Sequence, residues 1–360
     1  MKKKVLFIAL HELDRAPSQR FRFEQYISFL NNNGFDCSCS YIIQKTDYNF
    51  FYKQGSYYSK LLLFARGFIK RIKDAVNASD YDIIFIQREA FMTKHILFEK
   101  LFAKSTAKII FDFDDSIWIQ NVSVANKRLS WLKDASKTAK IIALSDMVFA
   151  GNQYLAQYAL KYNSNVKVVP TTIDTTLYQK LNVRKSNKIC IGWSGSFSTV
   201  QHFEFALNAL KTINEKYKDK VYFKVIGDKN YYNEELKIKG IDWKKDSELE
   251  ELSEFDIGIM PLPDNDWAKG KCGLKGLQFM ALGIPTIMSP VGVNTDIIKD
   301  GSNGFLAKDM DEWVEKLSLL IESEQLRLSL GKEGKKTVEE RFSVNENSKL
   351  YLKYFTEILN

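Results

Sequence analysis

Two hydrophobic patterns alternate along the chain. Short uninterrupted apolar runs, "KKVLFIAL", "YDIIFIQ", "AKIIFDF" and "VKVVP", read as strands buried on both faces, and "AKIIALSDMVFAGN" reads as one or two more. Segments of helical spacing lie between several of them. In "QRFRFEQYISFLNNNGF", Phe23, Tyr26, Ile27 and Leu30 share one face, and Gly34 closes it. This alternation predicts βαβ units and a parallel sheet. A polar stretch, "TLYQKLNVRKSNK" (176–188), interrupts the pattern, which then restarts. "ICIGWSGS", "VYFKVIGD", "FDIGIMPL" and "PTIMSP" read as strands, and "HFEFALNALKTINEKY" as a helix. The expected fold is α/β with two Rossmann-like halves. The last segment, "VNENSKLYLKYFTEILN", is amphipathic, offering Leu350, Leu352, Tyr354, Phe355 and Leu359 for burial.

A length of 360 residues suits about two domains of this kind. The net charge of +8 is uneven, because residues 1–180 hold 26 Lys+Arg against 16 Asp+Glu. A basic N-terminal half suggests an anionic partner, such as a membrane surface, a phosphorylated substrate or nucleic acid. The basic residues are too diffuse for a nucleic-acid reader, and no recognition motif appears. The cysteines, Cys37, Cys39, Cys190 and Cys272, form no CxxC, and with scattered histidines they make no zinc pattern. So few cysteines suit a reducing cytoplasm. "VLFIAL" is short for a signal-peptide core, and His11, Glu12, Asp14 and Arg15 follow it without a cleavage site. No apolar run is long enough to span a bilayer.

In open α/β sheets, ligands bind beyond the carboxyl ends of the strands. The loops there are "HELDRAPSQRFR", "QREAF", "DFDDSIW", "GWSGSFST", "GDKNYY" and "PLPDNDWAKGKCG". The last leads into "GKCGLKGLQFMALGIP" (270–285), with Lys271, Gly273 and Lys275 at the mouth of a helix. A helix N-terminus presents unpaired N–H groups and partial positive charge, so this is a candidate phosphate site. It is not a Walker A loop. A surface loop with solvated lysines is the competing reading.

"GLKGLQFMALGIPTIMSPVGVNTDIIKDGSNGFL" resembles the donor-binding signature of glycosyltransferase family 4, the retaining GT-B enzymes of the group 1 class. "GWSGS", "VKVVPTTID" and the closing helix also resemble that class. The likeness is strongest from Asp256 to Leu306. It implies a GT-B fold: an acceptor domain over 1–178, a linker over 179–188, a donor domain over 189–342, and a helix over 343–360 returning to the first domain. It implies a cleft between the two domains. It implies sugar transfer, with retention, from a UDP- or GDP-sugar to a hydroxyl, without a metal or other cofactor. Lys275 and Lys271, with Arg20 from the first domain, are the expected catalytic cations. Gly195, Ser196, Gly227, Asp228, Gly273, Leu274 and Gln278 are the expected donor-binding residues. Two departures stand out. Gln278 replaces an acidic residue that meets the ribose hydroxyls, keeping only a carbonyl oxygen for that task. Gly270 replaces an acidic residue that faces the donor sugar, so that contact is lost or passes to Asp264 or Asp266. The usual Arg and Lys after the first strand of the donor domain fall near Ser196 and near Gln201 or His202, where no full cation stands.

Other features have less definite readings. Asp112, Asp114 and Asp115 in "FDFDDSIW" form a D-x-D that could hold Mg²⁺; an acceptor-side or structural role is the alternative. Arg88, Glu89, Asp114 and Asp115 are taken as acceptor-side candidates, and no metal site is expected. Arg15, Arg20 and Arg22 follow the first strand. Trp118, Trp131 and Trp193 read as core or cleft wall rather than as platforms for a sugar. Residues 57–76 join Leu61–Phe64, Phe68, Ile69 and Ile72 to Lys60, Arg66, Lys70, Arg71 and Lys73. Such a helix can lie in a membrane interface or pack on the sheet. The expected setting is cytoplasmic, with peripheral contact at the inner membrane face. The acceptor would be a polysaccharide, a glycolipid or a polyprenyl-linked sugar, in bacterial surface polysaccharide or glycolipid assembly. A non-catalytic nucleotide-sugar-binding partner and a nucleotide-sugar epimerase on the same fold are the rivals.

Overall fold

The structure is a computed structural model and describes residues 2–52, 55–119, 134, 136–183 and 186–360. The chain divides into two compact units. One comprises the residues up to Thr171 together with Ser348–Asn360; the other is Thr172–Asn347.

The first unit is built on six parallel strands: β1 (Lys3–Ile8), β2 (Phe35–Ser40), β3 (Ile83–Gln87), β4 (Lys108–Phe113), β5 (Met147–Ala150) and β6 (Val166–Val168), in the order β2-β1-β3-β4-β5-β6. β3 and β5 are buried along their whole length, which is why they read as continuous apolar runs. β2, "FDCSCS", is an edge strand with only its two ends buried, and its polar content hid it. "SKTAKIIAL" is a helix (Ser136–Leu144), not a strand; its buried residues Lys137, Thr138, Ile141 and Ile142 recur at helical spacing. Trp131 lies outside the described residues.

Aromatic rings fill the core of this unit. Phe7 stacks on Phe23 with centroids 4.9 Å apart, and Tyr26 stacks on Tyr351 at 3.9 Å. The closing helix (Val344–Glu357) thus supplies Tyr351 and Phe355 to this core, both fully buried, whereas Leu350 and Leu352 remain half-exposed.

The helix Tyr57–Val76 is turned differently from a simple amphipathic reading. Its packed side carries Leu63, Gly67 and Arg71. Phe68 reaches Phe91 and Phe98 edge-on, yet remains partly exposed, and Leu61, Ile69 and Ile72 face solvent. Arg71, grouped above with the basic residues that could meet a membrane, is fully buried. Its guanidinium donates to the carbonyls of Ala9 and Ala90, to Ser40 Oγ and to Asp74. The helix is therefore tied to the sheet by a charge.

The second unit has five parallel strands in the order β13-β12-β11-β7-β8: β7 (Ile189–Ser194), β8 (Val221–Ile226), β11 (Ile257–Met260), β12 (Thr286–Met288) and β13 (Phe305–Leu306). A two-residue ribbon, β9 (Tyr232–Asn233) and β10 (Ile238–Lys239), sits in the loop after β8. Ile191, Ile257, Ile259 and Ile287 meet Trp313, Leu317 and Leu320 in its core. Trp193 belongs to this core, as one of the two readings above had it. Among the described residues no helix is long and apolar enough to cross a membrane.

Candidate functional site

β11, β7 and β8 are neighbours, so the loops leaving their carboxyl ends converge at one edge of the second unit. Gly227, after β8, has φ +123°, and a Cβ on it would lie 2.3 Å from the carbonyl oxygen of Gly195 after β7. Any side chain at 227 would push these loops apart. Ser196 and Asp228 follow these glycines. The Ser196 amide is committed locally, donating to Thr199 Oγ1 at 2.9 Å.

The loop after β11 ends in a short helix, Asp266–Lys269, capped by Asn265, and then enters the helix Leu274–Ala281. Gly273 is the N-cap of that second helix, with φ +70°. The first intrahelical bond is Leu277 N–H to the Gly273 carbonyl at 3.0 Å. The amides of Leu274, Lys275 and Gly276 precede it, in the first turn, where a helix supplies no acceptor of its own. The helix sits tightly on the sheet, since a Cβ on Gly276 would collide with the Met288 side chain. A Cβ on Gly273 would stand 2.3 Å from Ile297, so this glycine also meets a packing demand besides any approach of ligand to backbone.

Lys275 occupies the second position of this helix. Lys271 Nζ lies over the face of Trp267, 3.5 Å from the ring centroid, and His202 packs on the same indole at 5.2 Å. The loops after β7 and β11 are thereby joined through Trp267. A cation held on an indole face is partly desolvated and has a defined position. Gly270 is buried at the end of the short helix. Asp264 and Asp266 are exposed and lie 3.4 and 3.9 Å from Lys269 Nζ.

Gln278 is almost completely buried in a polar cluster. Its Nε2 donates to Tyr178 OH at 2.8 Å and to Glu248 Oε1 at 3.1 Å. Glu248 also accepts from Tyr178 OH and Trp243 Nε1, both at 2.8 Å. A carboxylate thus stands beside Gln278, supplied by another helix (Glu248–Ser253). Sequence reading missed Tyr178, Trp243 and Glu248; no local pattern marks a glutamate in "DSELEEL" as buried. The buried amide oxygens Gln278 Oε1 and Asn294 Oδ1 have no hydrogen-bond partner among the described residues. Asn294 Oδ1 lies 3.7 Å from where a Gly273 Cβ would be. Buried acceptors left without donors are costly, and a ligand with hydroxyl groups would relieve that cost.

In the first unit the strand ends gather a second set of charges. Asp112 and Arg22 are fully buried and form a direct ion pair. Arg22 also donates to the Val169 carbonyl. Asp114 accepts from Arg88 Nε at 2.8 Å and pairs with Arg88 Nη2 at 2.7 Å; Asp115 lies 3.9 Å from the same nitrogen. Arg88 sits at φ +61°, a strained conformation for a bulky residue at the end of β3. Glu89 accepts from Lys137 at 2.8 Å. Arg20 is half-buried with its guanidinium against Phe21. Trp118 stacks on Tyr158 at 3.8 Å. Among the described residues no group of three His, Cys, Asp or Glu side chains is arranged to hold a metal.

His11 follows β1, and its Nδ1 lies 2.7 Å from Tyr48 OH. Gln19 is buried and clamps its backbone, accepting from His11 N–H at 2.9 Å and donating to His11 O at 2.7 Å. Burial first, and then the positive Arg88, lower its pKa from 6.5 to about 4. The unfolded chain takes up this proton below about 6.5, the folded chain only below about 4. The contribution of His11 is therefore fully present above that window and is lost as pH falls through it, by at most about 3 kcal/mol. Urea melts between pH 7 and 4.5 should show His11→Gln losing stability less steeply than wild type. Parallel curves would refute the shift.

Residues 188–323 match the family model of glycosyl transferases group 1. An uncharacterized glycosyltransferase of Methanocaldococcus jannaschii is 24% identical over 311 residues, covering 78% of this chain and 76% of that protein. Among solved structures, HepE of Anabaena in complex with UDP and glucose aligns with TM-score 0.70 at 14% identity, over 99% of this chain and all of that one. Sucrose-phosphate synthase of Thermosynechococcus elongatus aligns with TM-score 0.71, also at 14% identity and with the same coverage. At such identities the structural likeness speaks for the fold, which is GT-B.

Proposed function

We propose that this GT-B chain, whose residues 188–323 carry the group 1 glycosyltransferase sequence, moves a sugar from a UDP- or GDP-sugar to a hydroxyl acceptor with retention of configuration. The observation that carries this reading is the mouth of the helix Leu274–Ala281. Gly273, Lys275 and the Trp267-backed Lys271 concentrate positive potential there, beside the closely packed Gly195 and Gly227 loops.

The chemistry needs such a place. Breaking the anomeric C–O bond leaves a diphosphate that gains negative charge. First-turn amides and a lysine aimed at that charge stabilise the transition state more than the ground state. Gln278 Oε1 is offered to a ribose hydroxyl, with Glu248 fixing the amide's orientation through Nε2. Asn294 Oδ1 is offered to a hydroxyl nearer the helix mouth. It, rather than the exposed Asp264 and Asp266, is the better substitute for the acidic residue absent at Gly270. The complex of HepE with UDP and glucose favours UDP over GDP as the first nucleotide to test.

The acceptor is proposed to be a polysaccharide or lipid-linked sugar, met at the inner face of the cytoplasmic membrane. Calorimetric titration with UDP, GDP and their sugars tests the donor, and anomeric analysis of the product tests retention. A chain that binds UDP tightly but never turns over would favour a non-catalytic nucleotide-sugar-binding partner, the reading that Gly270 recommends.

The carboxylates of the D-x-D are engaged by Arg22 and Arg88 and are poorly placed to hold a metal on a diphosphate. Activity is therefore expected to survive excess EDTA unchanged. Loss in EDTA with recovery on adding Mg²⁺ or Mn²⁺ would overturn the metal-independent reading.

A further inference from the structure

The outward side of the helix Tyr57–Val76 is apolar. Tyr58, Leu61, Leu62, Ile69, Ile72 and Val76 share one side of the helix by its 3.6-residue period and are all exposed, Tyr58 by 74% and Ile69 by 68%. Soluble proteins seldom show a contiguous apolar helix face. The inward side explains why this one cannot roll under. A Cβ on Gly67 would come within 2.6 Å of Ile42, so the helix already lies as close to its neighbours as its backbone allows. Arg71 fixes the rotation, with hydrogen bonds to the carbonyls of Ala9 and Ala90 and to Ser40 Oγ. The apolar stripe is thus held in solvent by a buried ionic anchor.

Charge selects the occupant. By helical spacing Lys70 and Lys73 fall along one flank of the stripe, beside Arg66, whose own charge is paired with the buried Asp47. The one acidic residue of the helix, Asp74, is half-buried and bound by Arg71. An apolar face bordered by cations and free of exposed acid matches a bilayer surface containing anionic lipid. There the stripe enters the acyl boundary and the cations meet headgroup phosphates. At about 1.5 Å per residue, the helix would offer about 30 Å of contact lying in the membrane plane.

We propose that this face docks the protein on an anionic lipid bilayer. The inference rests on the part of the reading above that places the protein at a membrane. It does not depend on glycosyl transfer, and its readout is separate from nucleotide binding.

The test is co-sedimentation of the full chain with vesicles of phosphatidylcholine, with and without phosphatidylglycerol. Wild type should sediment with the anionic vesicles at low salt, and less as salt rises. Leu61→Ser, Ile69→Ser and Ile72→Ser together should weaken partitioning at least about tenfold. Lys70→Gln with Lys73→Gln should weaken it about fivefold or more and flatten the salt dependence. Both variants should keep the wild-type melting temperature and UDP affinity, since the altered side chains are not on the packed face. Three outcomes would overturn the proposal. Wild type could ignore anionic vesicles, or the triple variant could bind them undiminished. Alternatively, sedimentation velocity could show a wild-type dimer that the triple variant dissolves, which would make a second copy the occupant. Loss of UDP binding by wild type would instead count against the donor site and leave this inference standing.

Discussion

Lys275→Ala is expected to lower turnover by about a hundredfold while leaving the fold and its melting temperature unchanged. Lys275 sits in the first turn of the helix Leu274–Ala281, where the backbone amides have no acceptor within the helix. In the proposed reaction its ammonium would add a full charge where the leaving diphosphate becomes more negative. An ionic hydrogen bond of this kind, shielded from water, is worth about 2.7 kcal/mol or more in the transition state. The effect should fall on kcat more than on KM, because the charge grows during the reaction. Lys275→Arg should recover part of the loss. The measurement is release of UDP from the sugar donor in the presence of acceptor, alongside UDP binding by the same variant. Undiminished turnover in Lys275→Ala would remove the leaving-group role and return this lysine to the solvated surface.

Asp112→Ala should be the most destabilising single change in the first unit, by about 3–5 kcal/mol. It strands the guanidinium of Arg22 in an interior where both side chains are wholly buried. Arg22 would still donate to the Val169 carbonyl, and its own carbonyl would still accept from Tyr351 OH, but no carboxylate would face its charge. The loss should appear as faster amide hydrogen exchange in β1, β3 and β4. Equal acceleration in β7 and β11 would show a loss not confined to the unit that holds the pair. A double change, Arg22→Met with Asp112→Leu, should cost much less than Asp112→Ala, because it removes both charges together.

How much of this could be seen in the sequence depended on how local each cause was. β3 and β4 were legible because their buried stretches are runs of isoleucine and phenylalanine, as strands covered on both faces require. β2 was not, because an edge strand tolerates "DCSCS". The cations of the helix mouth were legible because Lys271, Gly273 and Lys275 lie within one short stretch. The cluster around Gln278 was invisible because its partners, Tyr178 and Glu248, are 100 and 30 residues away. Arg71 of the Tyr57–Val76 helix was misplaced for a different reason. A helical wheel reports that one side is apolar and another basic, but not which side meets the sheet. Arg71 faces inward because strand-end carbonyls and Asp74 receive it, and nothing in its neighbours announces that.

The Tyr351 and Phe355 contribution has a consequence in time. The first unit is interrupted in sequence, since Ser348–Asn360 belongs to it while Thr172–Asn347 forms the other unit. On the ribosome the aromatic groove formed by Phe7, Tyr26, Phe85 and Phe149 is finished long before the rings that cover it exist. At about 5–20 residues per second, the intervening segment takes roughly ten to thirty-five seconds to make. During that interval the later-made unit can complete its own sheet while the earlier one waits with its core uncovered. A chain cut before Tyr351 should stay in that state and aggregate, with its second sheet intact.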